Sequence, residues 1–368
     1  MKLKPLVINF TLLACSTLFV FFTFEALFRV FYPQSGYSLT YAPWGWTHIP
    51  NSKVTYYKEA PVFNLNIRLR PHPIPINYNS KGLREFDYGY QKGKNVFRIL
   101  VLGDSFAEDM GSFFDNLHTK WLERKLRQRG YPYRIEVINA GHYGFDNANE
   151  YMFYLKEGKK YSPDIVIVMY TGDRAALDYA VIENGKLALR YKTFTFSQKL
   201  YRMFVSWIRR NSQFGSFLLN EVTNLNRIKL FLVNRGFKEQ DKAIVNPDRP
   251  EKQIPFSDAD KAIWMAFKEE IEKNNGKFIF MNCTYSPDKA QRNSLSEENR
   301  NFIQQNKILL LEILATAKDA RRIKNEEMRL GIYNKLYDSH RFGYKANEKV
   351  ADRIIAFLLE HKLLPEQL

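Results

Sequence analysis

The stretch that most constrains the fold is Phe97 to Glu108, FRILVLGDSFAE, where a short apolar run stops at a glycine and an acid and a serine follow. Phe97, Ile99, Val101 and Leu102 form a β-rich segment, long enough for a buried strand and too short for a helix of its own. Gly103 permits a sharp turn. Ser105 then falls just past the carboxyl end of the strand, where open α/β sheets place ligands and reactive groups. Gly-Asp-Ser is also ordinary turn composition, so its weight depends on the rest of the chain.

From there strands and helices alternate. Phe114 to Gly130 carries Leu117, Trp121, Leu122 and Leu126 at helical spacing and ends at a glycine stop. Arg134 to Ile138 reads as a second strand, Asn147 to Leu155 as a helix, and Asp164 to Tyr170, DIVIVMY, as a third strand that is wholly apolar after its leading acid. Further on, Ser257 caps a helix running to Lys273, with Asp260 as the third residue after the cap. Lys277 to Asn282 is a fourth strand, and Glu348 to Leu359 is a closing amphipathic helix. Ile308 to Leu314 fits either a fifth strand or a long helix beginning near Glu297. Near-continuous apolar strands separated by helices imply an α/β fold, a doubly wound parallel sheet of about five strands covered on both faces.

What precedes and interrupts this core is of another character. Pro5 to Phe24 carries no charge over about 20 residues, enough for one membrane-spanning helix. Lys2 and Lys4 precede it, and only Glu25 and Arg29 follow before Lys53, which puts the amino terminus in the cytoplasm and the body outside. An uncleaved anchor over residues 1–31 is the reading adopted. A cleaved signal peptide and a lipoprotein signal ending at Leu12-Leu13-Ala14-Cys15 are its rivals. Against them, apolar residues continue past Cys15 and no small-residue cleavage site follows Phe24. Residues 32–96, rich in Pro, Tyr, Asn and Trp without periodicity, read as an irregular lead-in covering the domain of residues 97–368. Within that domain, residues 182–255 break the alternation with aromatics and arginines at helical spacing. They read as a helical insertion: a packed helix pair, a cap over the site, or a face against lipid headgroups.

Lys and Arg total 55 against 39 acids, a net charge of +16, which fits either an anionic neighbour such as headgroups or an acidic glycan, or simply a well-solvated basic surface. Nucleic acid is discounted, because the basic residues are scattered and no nucleic-acid motif occurs. Cys15 and Cys283 offer neither a disulfide nor metal-ligand spacing, and no metal or organic cofactor is implied.

A serine hydroxyl needs a base to become a nucleophile, usually a histidine oriented by a carboxylate. Of six histidines, His48 and His72 lie in the lead-in, His118 within a helix and His361 near the terminus. His142 and His340 remain. His340 follows Asp338 by two residues in a loop before the last helix, YDSHRFGYKANEKVADRII. Acyl transfer also needs donors aimed at the developing oxyanion, for which the N–H groups of Ser105 and of Gly141, in NAGHYG after the second strand, are candidates.

Gly103-Asp104-Ser105 after a strand, with Asp338 and His340 near the end, resembles the SGNH/GDSL hydrolase family. The lead-in INYNSKGLRE, Ile76 to Glu85, also resembles the segment preceding this block in many membrane-anchored members. The resemblance covers Asn79 to Asp178 and Asp338 to Leu359. It implies a flavodoxin-like sheet, Ser105 as nucleophile, His340 as base, Asp338 as its orienter and Gly141 as an oxyanion donor. The third block departs from the pattern. The family shows Gly-x-Asn-Asp or Gly-Asn-Asp, whereas this chain has Tyr170-Thr171-Gly172-Asp173-Arg174, with Asp173 on the Asn position. An ionised carboxylate cannot donate to an oxyanion. Protonation of Asp173 by burial, donation from Arg174, or the remaining backbone donors would be the repair. Asp104, His142 and Arg174 are candidate substrate contacts.

The resemblance implies an extracytoplasmic, membrane-anchored serine esterase, periplasmic or at the cell surface, that removes acyl groups, chiefly acetyl, from a cell-surface glycan or a related ester. An O-acyltransferase in polysaccharide modification, using the same triad, is the first alternative. A non-catalytic glycan-binding or assembly protein is the second. A membrane-bound acyltransferase is a candidate partner.

Overall fold

The computed structural model describes residues 3–31, 33–60, 69–172, 179–219, 255–283, 295–313 and 344–366. The charge-free run becomes α1 (Leu3–Phe31), a helix whose Val7–Phe31 portion is long and apolar enough to cross a membrane. Val7, Phe10, Leu13, Phe19 and Phe22 all stand exposed on it. At about 1.5 Å per residue, Pro5 to Phe24 alone matches a hydrocarbon core of about 30 Å.

The lead-in is more regular than its sequence suggests. β1 (Leu39–Ala42) pairs antiparallel with β2 (Gly45–His48), and β3 (Lys53–Ala60) with β4 (Leu69–Asn77). Prolines at every second position of β4 (Pro71, Pro73 and Pro75) conceal the strand, since a ladder tolerates them only where the missing N–H faces away from its partner. The alternate residues Ile74 and Ile76 turn inward and pack with Val54, Tyr78 and Met110. The lead-in is thus a built part of the fold.

Beyond it come β5 (Val96–Gly103), α2 (Ser105–Glu108), α3 (His118–Arg127), β6 (Arg134–Gly141), α4 (Asn147–Lys156) and β7 (Ile165–Tyr170). A hairpin of β8 (Ala180–Glu183) and β9 (Lys186–Leu189) opens the insertion read as helical, and α5 (Phe196–Asn211) follows. The core resumes with α6 (Asp258–Lys273), β10 (Lys277–Asn282), α7 (Glu297–Gln305), β11 (Leu309–Glu312) and α8 (Tyr344–Glu360). The ambiguous run is therefore a strand after a separate helix, divided from it by Lys307 at φ 53°.

The five core strands lie in the order β11-β10-β7-β5-β6 and every described pairing among them is parallel. Counted along the chain the order is 2-1-3-4-5, the flavodoxin-like winding, with its reversal point at β5. Successive residues of each strand enter opposite cores. Leu100, Leu102, Val166, Val168 and Phe280 meet α4 and α6 through Met152, Trp264 and Phe267. Ile99, Val101, Ile165, Ile167 and Ile279 meet α3 and α8 through Leu122, Leu126, Ile354 and Leu358. Burial on both faces accounts for the unbroken apolar runs.

Candidate active site

Ser105 opens α2, at the carboxyl end of the strand where the winding reverses. The turn is held by its neighbours. Asp104 Oδ1 accepts from Phe106 N at 2.8 Å, capping α2, and Oδ2 accepts from the Thr171 hydroxyl at 2.8 Å at the end of β7. Two glycines let α2 lie on the strand ends. A Cβ on Gly103 would come 2.7 Å from the Cβ of Ala107, and one on Gly141 would come 2.5 Å from it and 2.4 Å from Glu108 N. Ala107 is thus wedged between two adjacent strands at positions where neither can carry a side chain. Ser105 itself is half-buried, and its hydroxyl and N–H make no hydrogen bond among the described residues.

The segment after the nucleophile turn is fixed from two directions. The buried Arg84, from the lead-in, donates to the carbonyls of Glu108 (3.1 Å), Asp109 and Ser112 (2.6 Å). Asn347, in the first turns of α8, donates to Asp109 Oδ2 at 2.7 Å and lies 3.2 Å from Ser112 Oγ. The last helix therefore begins beside the nucleophile turn.

Beneath the turn is a buried polar cluster. Glu108 accepts from the Tyr78 hydroxyl at 2.8 Å and Tyr143 N at 2.6 Å, and its Oε1 lies 3.0 Å from His48 Nε2. Burial opposes charge on Glu108, but His48 and Tyr78 outweigh it and hold its carboxyl at about 2. His142 stacks on Phe145 at 4.4 Å with Nδ1 3.1 Å from the Ala140 carbonyl, and burial, reinforced by His48, pushes it down to about 4.

These positions revise several expectations. Asp104 and His142 are buried, one as a cap and cross-strand acceptor and the other in the aromatic core. Gly141 N–H is spent on Asn139 Oδ1 at 2.9 Å, and its glycine answers the close approach of α2. Gly144 lies three residues on. It is exposed at φ +73°, and its N–H makes no hydrogen bond among the described residues. The second glycine of NAGHYG was its only signal in the sequence. Asp173, Arg174, Asp338 and His340 lie outside the described residues. Within the described residues no group of His, Cys, Asp and Glu could hold a metal ion.

Strand order, the reversal at β5 and a Gly-Asp-Ser turn there decide the architecture. The fold is a flavodoxin-like, doubly wound α/β sheet with a Gly-Asp-Ser turn at its reversal point. No family model matches the sequence, and no curated protein matches it. Solved structures to which the chain is similar include TesA (12% identity, 73% of this chain and 99% of that one, TM-score 0.40). Another is the psychrotrophic esterase EstA from Pseudoalteromonas sp. (13%, 72% and 98%, 0.38). A third is the acetylxylan esterase Axe2 from Geobacillus stearothermophilus (12%, 74% and 96%, 0.37). Identity this low does not transfer a reaction or a substrate.

Proposed function

We propose that the protein is a serine esterase on the SGNH/GDSL fold, anchored by α1 with its body outside the cytoplasm, that removes acyl groups, acetyl foremost, from a cell-surface glycan. Ser105 carries the reading. Among the described residues its hydroxyl makes no hydrogen bond, and it stands at the reversal point of the sheet on a turn held by Asp104, Gly103 and Gly141. In the reaction Ser105 Oγ attacks the ester carbonyl as His340, oriented by Asp338, takes its proton. The same proton then passes to the departing alcohol, and water repeats the cycle on the acyl-enzyme. Tyr344, where α8 starts, is four positions after His340, and a chain of four steps spans at most about 14 Å. The bond from Asn347 to Asp109 ties that helix to the nucleophile segment, which favours His340 as the base.

The N–H groups of Ser105 and Gly144 are the proposed oxyanion donors, and Gly144 replaces Gly141 in that role. Donors of this kind contribute about 2.7–4 kcal/mol each to the transition state. The glycan assignment rests on the resemblance to anchored family members and on the net charge of +16, which suits an acidic polymer.

The test uses the full-length protein in nanodiscs with a serine-directed phosphonate probe and a short-chain chromogenic ester. Labelling and hydrolysis are expected, and both are expected to vanish in Ser105→Ala. A folded protein that takes no label would sink the enzymatic reading in favour of a binding or assembly role. Adding a glycan acceptor and analysing products then separates hydrolysis from acyl transfer.

A further inference from the structure

The insertion carries an apolar face that nothing among the described residues covers. On α5, Phe196, Leu200, Met203 and Trp207 recur at i, i+4, i+7 and i+11, with Phe204 beside them, and all are more than half exposed. The opposite side is committed: Val205 and Ser206 are buried, the Ser206 hydroxyl donates to the Leu39 carbonyl, and Arg202 lies over the Tyr41 ring. Exposed aromatics on one stripe and a packed reverse face describe a helix with a second neighbour still to come.

Two observations identify that neighbour. The first is depth. The carboxyl end of α5 and the helical residues 213–219 after it are fastened to α1 at the point where its charge-free run ends. Glu25 accepts from Ser212 Oγ (2.8 Å), Gln213 N (3.0 Å) and Phe214 N (3.0 Å), and Arg29 Nη2 donates to the Asn211 carbonyl at 2.7 Å. Phe214 stacks on Phe24 at 5.1 Å, and Phe217 meets Phe28 at 4.6 Å. If Pro5 to Phe24 fills the hydrocarbon, this junction lies at the headgroup boundary. The second is charge. From Arg190 to Leu219 the chain carries Arg190, Lys192, Lys199, Arg202, Arg209 and Arg210 and no acid. Lys199 and Arg210 flank the apolar stripe, where long basic side chains can reach phosphates while their stems lie along acyl chains.

We infer that α5 lies in the surface of the bilayer that α1 crosses, its Phe196–Trp207 stripe in the acyl boundary and its basic flanks on anionic phospholipid headgroups. The inference rests on the reading of α1 as the membrane span and adds a second, lateral contact that fixes the domain's attitude to the membrane.

The test reads depth by quenching of an environment-sensitive thiol label in nanodiscs of phosphatidylcholine and phosphatidylglycerol containing lipids spin-labelled at shallow or deep acyl positions. Cys15 in the natural chain reports α1, since Cys283 is fully buried. Phe204→Cys in a Cys15→Ser background reports α5. Gln128→Cys, on the exposed loop leading into β6, is the control. The expected result is deep quenching at position 15, shallow quenching at position 204 and none at position 128. The shallow quenching should fall in Lys199→Glu/Arg210→Glu and when phosphatidylglycerol is omitted. Quenching at 15 with none at 204 overturns the inference and leaves the anchor standing. Absence of quenching at both overturns both readings. Concentration-dependent cross-linking through position 204 without lipid quenching assigns the face to a second copy and also overturns it.

Discussion

Gly141→Ala is the sharpest probe of the site, because two accounts of that glycine predict opposite outcomes. An added methyl would stand 2.4 Å from Glu108 N, 2.5 Å from the Ala107 Cβ and 2.6 Å from the Ala107 carbonyl carbon. Carbon atoms settle about 3.5–4.0 Å apart, so α2 must retreat by about 1 Å. Two of the three opposing atoms are backbone, and no rotamer relieves them. Nor is α2 free to yield, since Arg84 and Asn347 hold residues 108–112 from the other side. Overpacking costs about 1–3 kcal/mol in general, and this pinned geometry puts the substitution at the upper end or above. Thermal unfolding in nanodiscs, followed by near-ultraviolet circular dichroism, reads the loss of stability, and phosphonate labelling reads the displacement of Ser105. Ala107→Gly in the same chain removes the 2.5 Å clash and leaves the backbone ones, so it should restore only part of the loss, a coupling that a double-mutant cycle measures. Alanine keeps the N–H of residue 141. If that N–H were the oxyanion donor and packing were irrelevant, Gly141→Ala would match the parent in both assays, and that result would refute the packing account.

Other consequences follow from the turn and the cluster beneath it. Asp104→Ala should lose about 1 kcal/mol for the helix cap and a similar amount for the Thr171 bond, with labelling reduced; Asp104→Asn, which caps equally well, should lose little by urea denaturation. Glu108 is held at about 2 against 4.5 for a free carboxyl, so its ionised form stabilises the fold fully above pH 4.5 and ceases to do so as pH falls toward 2. Glu108→Gln should therefore cost about 3 kcal/mol at pH 7 and very little near pH 2; equal stability at pH 7 would contradict the cluster's role. Burial pushes His118 down to about 4 from 6.5, so the unfolded chain binds its proton first and stability falls as pH drops through that window. The slope is at most about 1.4 kcal/mol per pH unit, and in His118→Phe urea midpoints taken from pH 7 to 4 should flatten by that amount. Asp173→Asn should preserve or raise turnover of the chromogenic ester, and a large fall in kcat with the fold intact would give Asp173 an essential role of its own.

What the sequence made legible is what depends on local pattern. Four of the five core strands show as apolar runs because both faces are buried, and Ser105 is visible because glycine, acid and serine follow such a run. Ile308 to Leu314 stayed ambiguous because a short leucine-rich run has no period that separates strand from helix. The lead-in hairpins were hidden by prolines that break the usual strand composition while sitting in permitted positions. Gly141 was misread for a different reason. A glycine needed for an open N–H and one needed for a close-packed helix look the same in one dimension, and only the position of Ala107 distinguishes them. His142 likewise carries no mark of being buried against Phe145. Arg84 lies within the segment Ile76 to Glu85, yet its work of joining three carbonyls of the loop after the nucleophile is a fact of tertiary contact.

The cluster under Ser105 also bears on where this chain can be cut. His48 and Tyr78, which hold Glu108 ionised, both come from upstream of β5, as do Arg84 and Glu85, whose carboxylate pairs with the buried Lys120 at 2.6 Å. A chain trimmed to begin at the first core strand would keep every residue of the sheet, yet the buried Glu108 carboxylate would lose both His48 and Tyr78, and the buried Lys120 would keep Glu123 as its one remaining carboxylate among the described residues. Breaking a buried pair, as at Glu108, is strongly destabilising, by about 3–5 kcal/mol. The smallest portable unit of this protein is therefore set by charge balance, and it starts well before the α/β pattern does.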